Sequence, residues 1–255
     1  MKLIKKILIS VITIFIFTIT AQNAYCKVVK KEIEIQTKDL KIIKATLSYE
    51  KIEGLTKYPT VLLLHSLGYS SDDWSNLITD LNNAGYAVIA MDLRGHGKSV
   101  YNTKFQKKSW VYFNSKIYQK IPSDVVALLD QIKTQLKIVD LNNMAIVGAD
   151  IGANTAVLVS KELKQKPKTL VLISPTTSFK ELYIPIAMTE LNMPILTMVS
   201  TKDRYCIQEQ RNLAKFSQGG FYAKNYPNGG MGMIMIKLNP SMSQDITKWI
   251  MKYLK

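Results

Sequence analysis

The sequence predicts an α/β fold with a mostly parallel central sheet flanked by helices, and three observations carry that prediction. Residues 60–64, 86–93, 144–147, 170–174 and 195–199 are largely continuous apolar runs, the pattern of strands buried on both faces. Helix-forming stretches separate most of them, and such alternation argues for parallel strands joined by right-handed crossovers. No repeat, linker or low-complexity block interrupts the pattern, so residues 27–255 read as one domain.

The elements follow in order. Residues 32–36 and 42–49 are candidate antiparallel strands, the first with period-two alternation. Asp72 and Asp73 can cap a helix that reaches Ala84, where Gly85 ends it. The section 100–121 is polar and aromatic and fits no element. Pro122 then opens an amphipathic helix, with Ser123 and Asp124 in its first turn. The run 144–147 leads through Gly148-Ala149-Asp150-Ile151-Gly152 into a helix over 153–163. After the strands at 170–174 and 195–199 come a helix over 207–216, a short strand over 221–225 and a closing helix over 241–254.

The N-terminus predicts export. Lys2, Lys5 and Lys6 precede an apolar stretch over 7–21 and then small or polar residues, the layout of a signal peptide over 1–24. Cleavage is placed near Ala21, Ala24 or Cys26, and the destination is periplasmic or secreted. The alternative is an uncleaved membrane anchor, against which the stretch falls short of a full span. Tyr25 before Cys26 is bulky, which argues against a lipoprotein signal. The formal charge of +15 drops to +12 when a leader with three lysines and no acids is removed. That charge is scattered and mostly Lys, with Arg only at Arg94, Arg204 and Arg211. A basic surface favours anionic envelope polymers or lipid surfaces, and no nucleic-acid-binding motif is present. Two cysteines exclude a disulfide framework, and Cys206 reads as a small, partly buried hydrophobe.

Three motifs then occur in a telling order. His65-Ser66-Leu67-Gly68 follows one buried strand, Asp92-Leu93-Arg94-Gly95-His96-Gly97-Lys98-Ser99 follows the next, and the Gly148–Gly152 turn sits between strand and helix. This arrangement resembles the α/β-hydrolase superfamily, in its compact branch of esterases, lipases and serine aminopeptidases. The resemblance covers the chain after the leader. With only about 20 residues between Pro175 and Pro194, it implies no large cap domain.

The resemblance also assigns the parts of a site. Asp150 stands where the elbow nucleophile, ordinarily Ser, is expected. The oxyanion hole would use the backbone N–H groups of Leu67 and Ile151, and Asp203, after the strand at 195–199, falls at the triad acid. Met231, in the Gly-rich loop 226–233, stands where the catalytic His belongs, and a thioether cannot act as a base. The two histidines have other readings: His65 caps its turn, and His96 is the alternative, displaced base. An Asp nucleophile can open an sp³ carbon, as in haloalkane dehalogenases and epoxide hydrolases, but freeing the resulting ester needs a His-activated water. An Asp150 carboxylate facing the oxyanion hole is expected to bond its N–H groups and to have a lowered pKa.

Three functions follow, in order. The first is a catalytically impaired homologue that binds a small-molecule, ester-like ligand. The second is an active hydrolase using Asp150 as nucleophile or an Asp150/Asp203 site. The third is a basic scaffold that binds envelope polyanions. Two carboxylates are too few ligands to predict a metal, so neither metal nor cofactor is expected.

Overall fold

Strands rich in Val, Ile and Leu can sit in the middle of a sheet only if both faces are covered, and the chain meets that condition. The computed structural model describes residues 27–255; the proposed leader and its cleavage positions lie outside the described residues. The strands are β1 (Val28–Gln36), β2 (Ile42–Glu50), β3 (Tyr58–Leu64), β4 (Ala87–Met91), β5 (Val139–Ala149), β6 (Thr169–Ile173), β7 (Ser178–Phe179), β8 (Leu182–Tyr183), β9 (Ile195–Ser200) and β10 (Phe221–Tyr226). Eight of them form one sheet in the order β1-β2-β4-β3-β5-β6-β9-β10. β1 and β2 are antiparallel, and so are β2 and β4; every later neighbour in that order is parallel.

The helices are α1 (Ser75–Asn83), α2 (Ser115–Tyr118), α3 (Ile121–Gln135), α4 (Ile151–Glu162), α5 (Pro185–Met188), α6 (Arg204–Ala214), α7 (Met233–Leu238) and α8 (Ser241–Tyr253). The pleat sends Leu62 and Leu64 to one face, where Val125 and Leu128 of α3 and Ala156 and Val157 of α4 cover them. Val61 and Leu63 face the other way, against Leu77 and Leu81 of α1 and Ile246 and Ile250 of α8. Each such fully buried side chain contributes roughly 1.5–3 kcal/mol.

Where expectation and structure differ, the cause is local. Ser70 and Asp73 form a capping box over a single 3-10 turn, so α1 proper starts only at Ser75. β5 begins at Val139, well before its apolar run, by pairing across a register shift between Pro59 and Thr60. The 100–121 section is held by two isolated antiparallel bridges, Lys41 to Asn102 and Tyr101 to Lys107, before a 3-10 turn at Trp110–Tyr112 and α2. The short hairpin β7–β8 and α5 fill residues 175–194, and among the described residues there is no large cap.

One topological fact locates the site. β4 lies on one side of β3 and β5 on the other, so strand order reverses at β3. In parallel α/β sheets the crevice for ligands opens at such a switch point, beyond the carboxyl ends of the strands. The turns after β3 and β5 meet there.

Candidate active site

Asp150 sits at φ 56° and ψ −116° between β5 and α4, a left-handed conformation rare for a side chain with a Cβ. Such strain costs of order 1–3 kcal/mol and persists where the surroundings over-determine it. The surroundings here are two glycines. A Cβ on Gly148 would run into the Gly152 backbone, and one on Gly152 would run into the carbonyl of Leu64. Close approach of α4 to β5 and β3 therefore fixes the turn and lifts Asp150 above the sheet.

The carboxylate does not point into open solvent. Asp150 is 7% exposed, and its Oδ2 accepts the N–H of Leu67 at 3.2 Å. The N–H of Ile151 adds a weaker pull. The expectation that Asp150 bonds the oxyanion-hole donors is met at Leu67. The expected lowering of its pKa is not: burial outweighs the N–H bonds and the nearby Lys180 ammonium, and the group is pushed up to about 6. Its second oxygen, Oδ1, is buried with no hydrogen-bond partner among the described residues. Lys180 acts through its charge from the tip of the β7–β8 hairpin, where Lys180 and Glu181 both have positive φ, as a two-residue I′ turn requires. Asn154, one turn into α4, anchors that hairpin by donating to the carbonyls of Thr176 and Leu182 at 2.9 and 2.8 Å.

The loop that carries Met231 packs on the elbow. A Cβ on Gly232, at φ 54°, would lie 3.1 Å from the Cβ of Asp150. Two serines hold the loop in place. Ser174 Oγ accepts the Gly232 N–H, and Ser66 Oγ accepts the Met233 N–H, each at 3.0 Å. Met231 itself is half-buried, and its carbonyl opens α7 by accepting the N–H of Ile234.

Asp203 is the N-cap of α6, accepting the Cys206 N–H at 2.9 Å. It starts the helix three residues earlier than its apolar pattern shows. Cys206 is fully buried rather than partly so. Burial pushes its thiol well up, and the negative charges of Asp203 and Asp150 push the same way. Cys206 thus sits in the first turn of α6, beside the acid position. Sequence reasoning missed Ser66, Ser174 and Cys206 as parts of this cluster; their place at or just beyond the carboxyl ends of β3, β6 and β9 was the available signal.

Neither histidine reaches Asp150. His65 accepts the Leu93 N–H on Nε2 at 2.9 Å, which leaves its Nδ1–H for the Ser66 carbonyl at 2.7 Å. Both ring nitrogens are consumed, in keeping with a turn-capping role. His96 bonds the Arg94 carbonyl through Nδ1 at 2.9 Å, stacks on Trp110 and meets His65 edge to face. Burial, with the His65 ring beside it, pushes His96 down to about 4. Its Nε2 and the Oδ1 of Asp150 are both unpartnered, so they are not bonded to each other. The reading of His96 as a displaced base has no bond behind it.

Fold and turn together define an esterase- or lipase-like α/β-hydrolase. Residues 57–218 match the family model described as serine aminopeptidase, S33, and the chain belongs to that family. It is similar to an uncharacterized protein of Mycobacterium bovis, 27% identical over 135 residues, which are 53% of this chain and 34% of that protein. A probable lipase of Schizosaccharomyces pombe is 26% identical over 144 residues, 51% of this chain and 30% of the lipase. The chain thus spans about a third of the length of these curated relatives. Among solved structures, the dienelactone hydrolase of Anabaena variabilis superposes with a TM-score of 0.69 at 16% identity, over 89% of this chain and 99% of that one.

Proposed function

We propose that this protein is an exported, catalytically impaired member of the family that binds a small, ester-type ligand at the elbow. The observation that carries this reading is the bond from Leu67 N–H to Asp150 Oδ2. An oxyanion hole works by meeting charge that develops only in the transition state. A resident carboxylate already occupies that donor and repels a second negative oxygen. Met231 in the base position and the full use of His65 point the same way. Losing the nucleophile or the base of a Ser-His-Asp site costs several powers of ten, and losing both is little worse than losing one.

Short-chain p-nitrophenyl esters test the reading. The natural protein is expected to show background turnover, and Asp150→Ser with Met231→His to exceed it by about a hundredfold, a fraction of what an intact triad supplies. Robust turnover by the natural protein that Asp150→Ala abolishes overturns the reading. For export, the intact mass of protein recovered from outside the cytoplasm should correspond to a chain starting near residue 22, 25 or 27. A full-length mass there favours the uncleaved anchor instead.

A second reading has its own support in the retained φ of 56° at Asp150, which keeps the side chain presented as a nucleophile. In that reading the carboxylate attacks an alkyl halide carbon, halide leaves, and an ester on Asp150 remains. A mass gain of one alkyl group on the peptide containing Asp150 would support it, and an unmodified peptide after prolonged exposure rules it out.

A further inference from the structure

A concavity of about 440 Å³ is lined by Lys41, Lys107, Lys108, Lys120 and Arg94, with Asp39 as its one acid. Arg94 and Lys120 are balanced by Asp39 and by the buried Asp124, which bonds Arg94 from behind the pocket, so three ammoniums are left over. Asp39 is committed to Arg94, accepting from Nη1 at 2.7 Å and Nη2 at 3.0 Å, and it takes Lys120 at 3.0 Å as well. Among the described residues, Lys41, Lys107 and Lys108 have no carboxylate within ion-pair distance. Three unpaired ammoniums in one hollow repel one another, and a bound anion relieves that repulsion. Burial first, then Arg94, Lys108 and Lys120, hold the pKa of Lys41 below the ordinary lysine value against the opposing pull of Asp39.

The backbone holds these lysines together. The Lys41–Asn102 and Tyr101–Lys107 bridges tie the two loops, Ile42 N–H donates to Tyr101, and Lys108 N–H donates to Val100. Leu40 and Phe105, at φ 60° and 56°, hold left-handed conformations at the loop bends without glycine. Strain of this kind is kept where a particular loop shape is needed. On the far wall are Phe113 and Tyr112, the latter 87% exposed. Trp110, two residues before Tyr112, lies against Gly68 in the turn that supplies the Leu67 N–H. The segment 110–113 therefore touches both the pocket and the turn after β3.

We propose that this pocket binds a multiply charged phosphate-type anion, with Lys41, Lys107 and Lys108 as its principal cations. A dianion with three or more acceptor oxygens can take several ammoniums at once, and those charge-assisted bonds are the strong ones. The pocket holds its anion whether or not Asp150 turns over a substrate.

Inorganic pyrophosphate, titrated calorimetrically at constant ionic strength, is the probe. Saturable binding of one equivalent is expected, weakened about tenfold or more by Lys107→Gln with Lys108→Gln, which is about 1.4 kcal/mol. Lys51→Gln with Lys215→Gln removes the same charge from exposed positions outside the pocket and should change affinity less than about twofold, well inside that margin. Equal weakening by both pairs, or no saturable binding by the natural protein, overturns the proposal. Vesicles of phosphatidylglycerol or phosphatidylcholine then identify the source. Competition with pyrophosphate by the anionic vesicles alone assigns a lipid headgroup, and no competition by either assigns a free phosphate compound.

Discussion

Asp124 and Asp150 are both buried carboxylates, 2% and 7% exposed, yet the chain treats them in opposite ways. Asp124 faces Arg94, which donates to it through Nε at 2.7 Å and Nη2 at 2.6 Å. Burial pushes Asp124 up, and the forked guanidinium holds it as a carboxylate. Asp150 has a backbone N–H, a more distant ammonium and one oxygen with nothing to bond. The first arrangement stabilises the fold by completing both partners. The second leaves a buried charge poorly compensated, at a turn that is itself strained. Groups kept in that condition are found where a site, rather than the core, dictates the residue.

The largest effect should come from breaking the complete pair. Arg94→Met leaves Asp124 buried without its cation, and removing one partner of a buried pair costs about 3–5 kcal/mol. Urea denaturation at neutral pH should show a loss in that range. A loss below about 1 kcal/mol would mean that Asp124 is relieved by water or by Lys120, and the contrast with Asp150 would shrink.

The next prediction is of opposite sign. Asp150 has its pKa raised from 3.8 to about 6 in the folded chain, so the native state binds its proton more tightly than the unfolded state does. The stability this gives is complete below the unfolded value and is lost as pH rises through about 6. At pH 7.5 the ionised group therefore carries a penalty of about 2–3 kcal/mol, on the scale of 1.36 kcal/mol per unit. Asp150→Asn removes the charge and keeps an oxygen for Leu67, so it should be more stable than the parent by about 1–2 kcal/mol at pH 7.5. The gain should vanish near pH 4. His96, held down at about 4, titrates in the opposite direction over part of the same range. The difference between parent and variant, measured at both pH values, isolates Asp150. An Asn variant that is less stable at pH 7.5 would show that the carboxylate is well solvated after all.

The same contrast separates what the sequence revealed from what it hid. The elbow was legible because its parts are neighbours: an apolar run, two glycines and a helix within about a dozen residues make a local signature. Leu67 was legible for the same reason, since a turn after a buried strand fixes where its N–H points. The Arg94 cluster was not, because its partners lie 30 and 55 residues away and no periodicity links them. The direction of the Asp150 shift was missed because it is a balance. The N–H donor could be foreseen, whereas the burial that outweighs it depends on how the hairpin β7–β8 and the Met231 loop close over the site. The hairpin strands and the helix after that loop are also, with the section 100–121, elements the pattern could not read. Strands of two residues show no alternation, and the all-apolar start of α7 shows no amphipathic period.

Asp203 allows the smallest and most discriminating change. As the N-cap of α6 it satisfies the Cys206 N–H, and replacing such a cap by Ala costs about 1 kcal/mol. Asn caps nearly as well, so Asp203→Asn should leave stability within about 0.5 kcal/mol of the parent. A triad acid has a different requirement: it must hold the imidazole in one tautomer and stabilise its cation, which Asn cannot do. With Met231 in place, Asp203→Asn should therefore be silent in both melting and ligand binding. In the chain that carries Asp150→Ser and Met231→His, the same Asn should remove most of the recovered turnover while melting stays unchanged. If turnover survives there, Asp203 is a helix cap and nothing more, and the acid of any rebuilt site must be sought elsewhere along the carboxyl edge of the sheet.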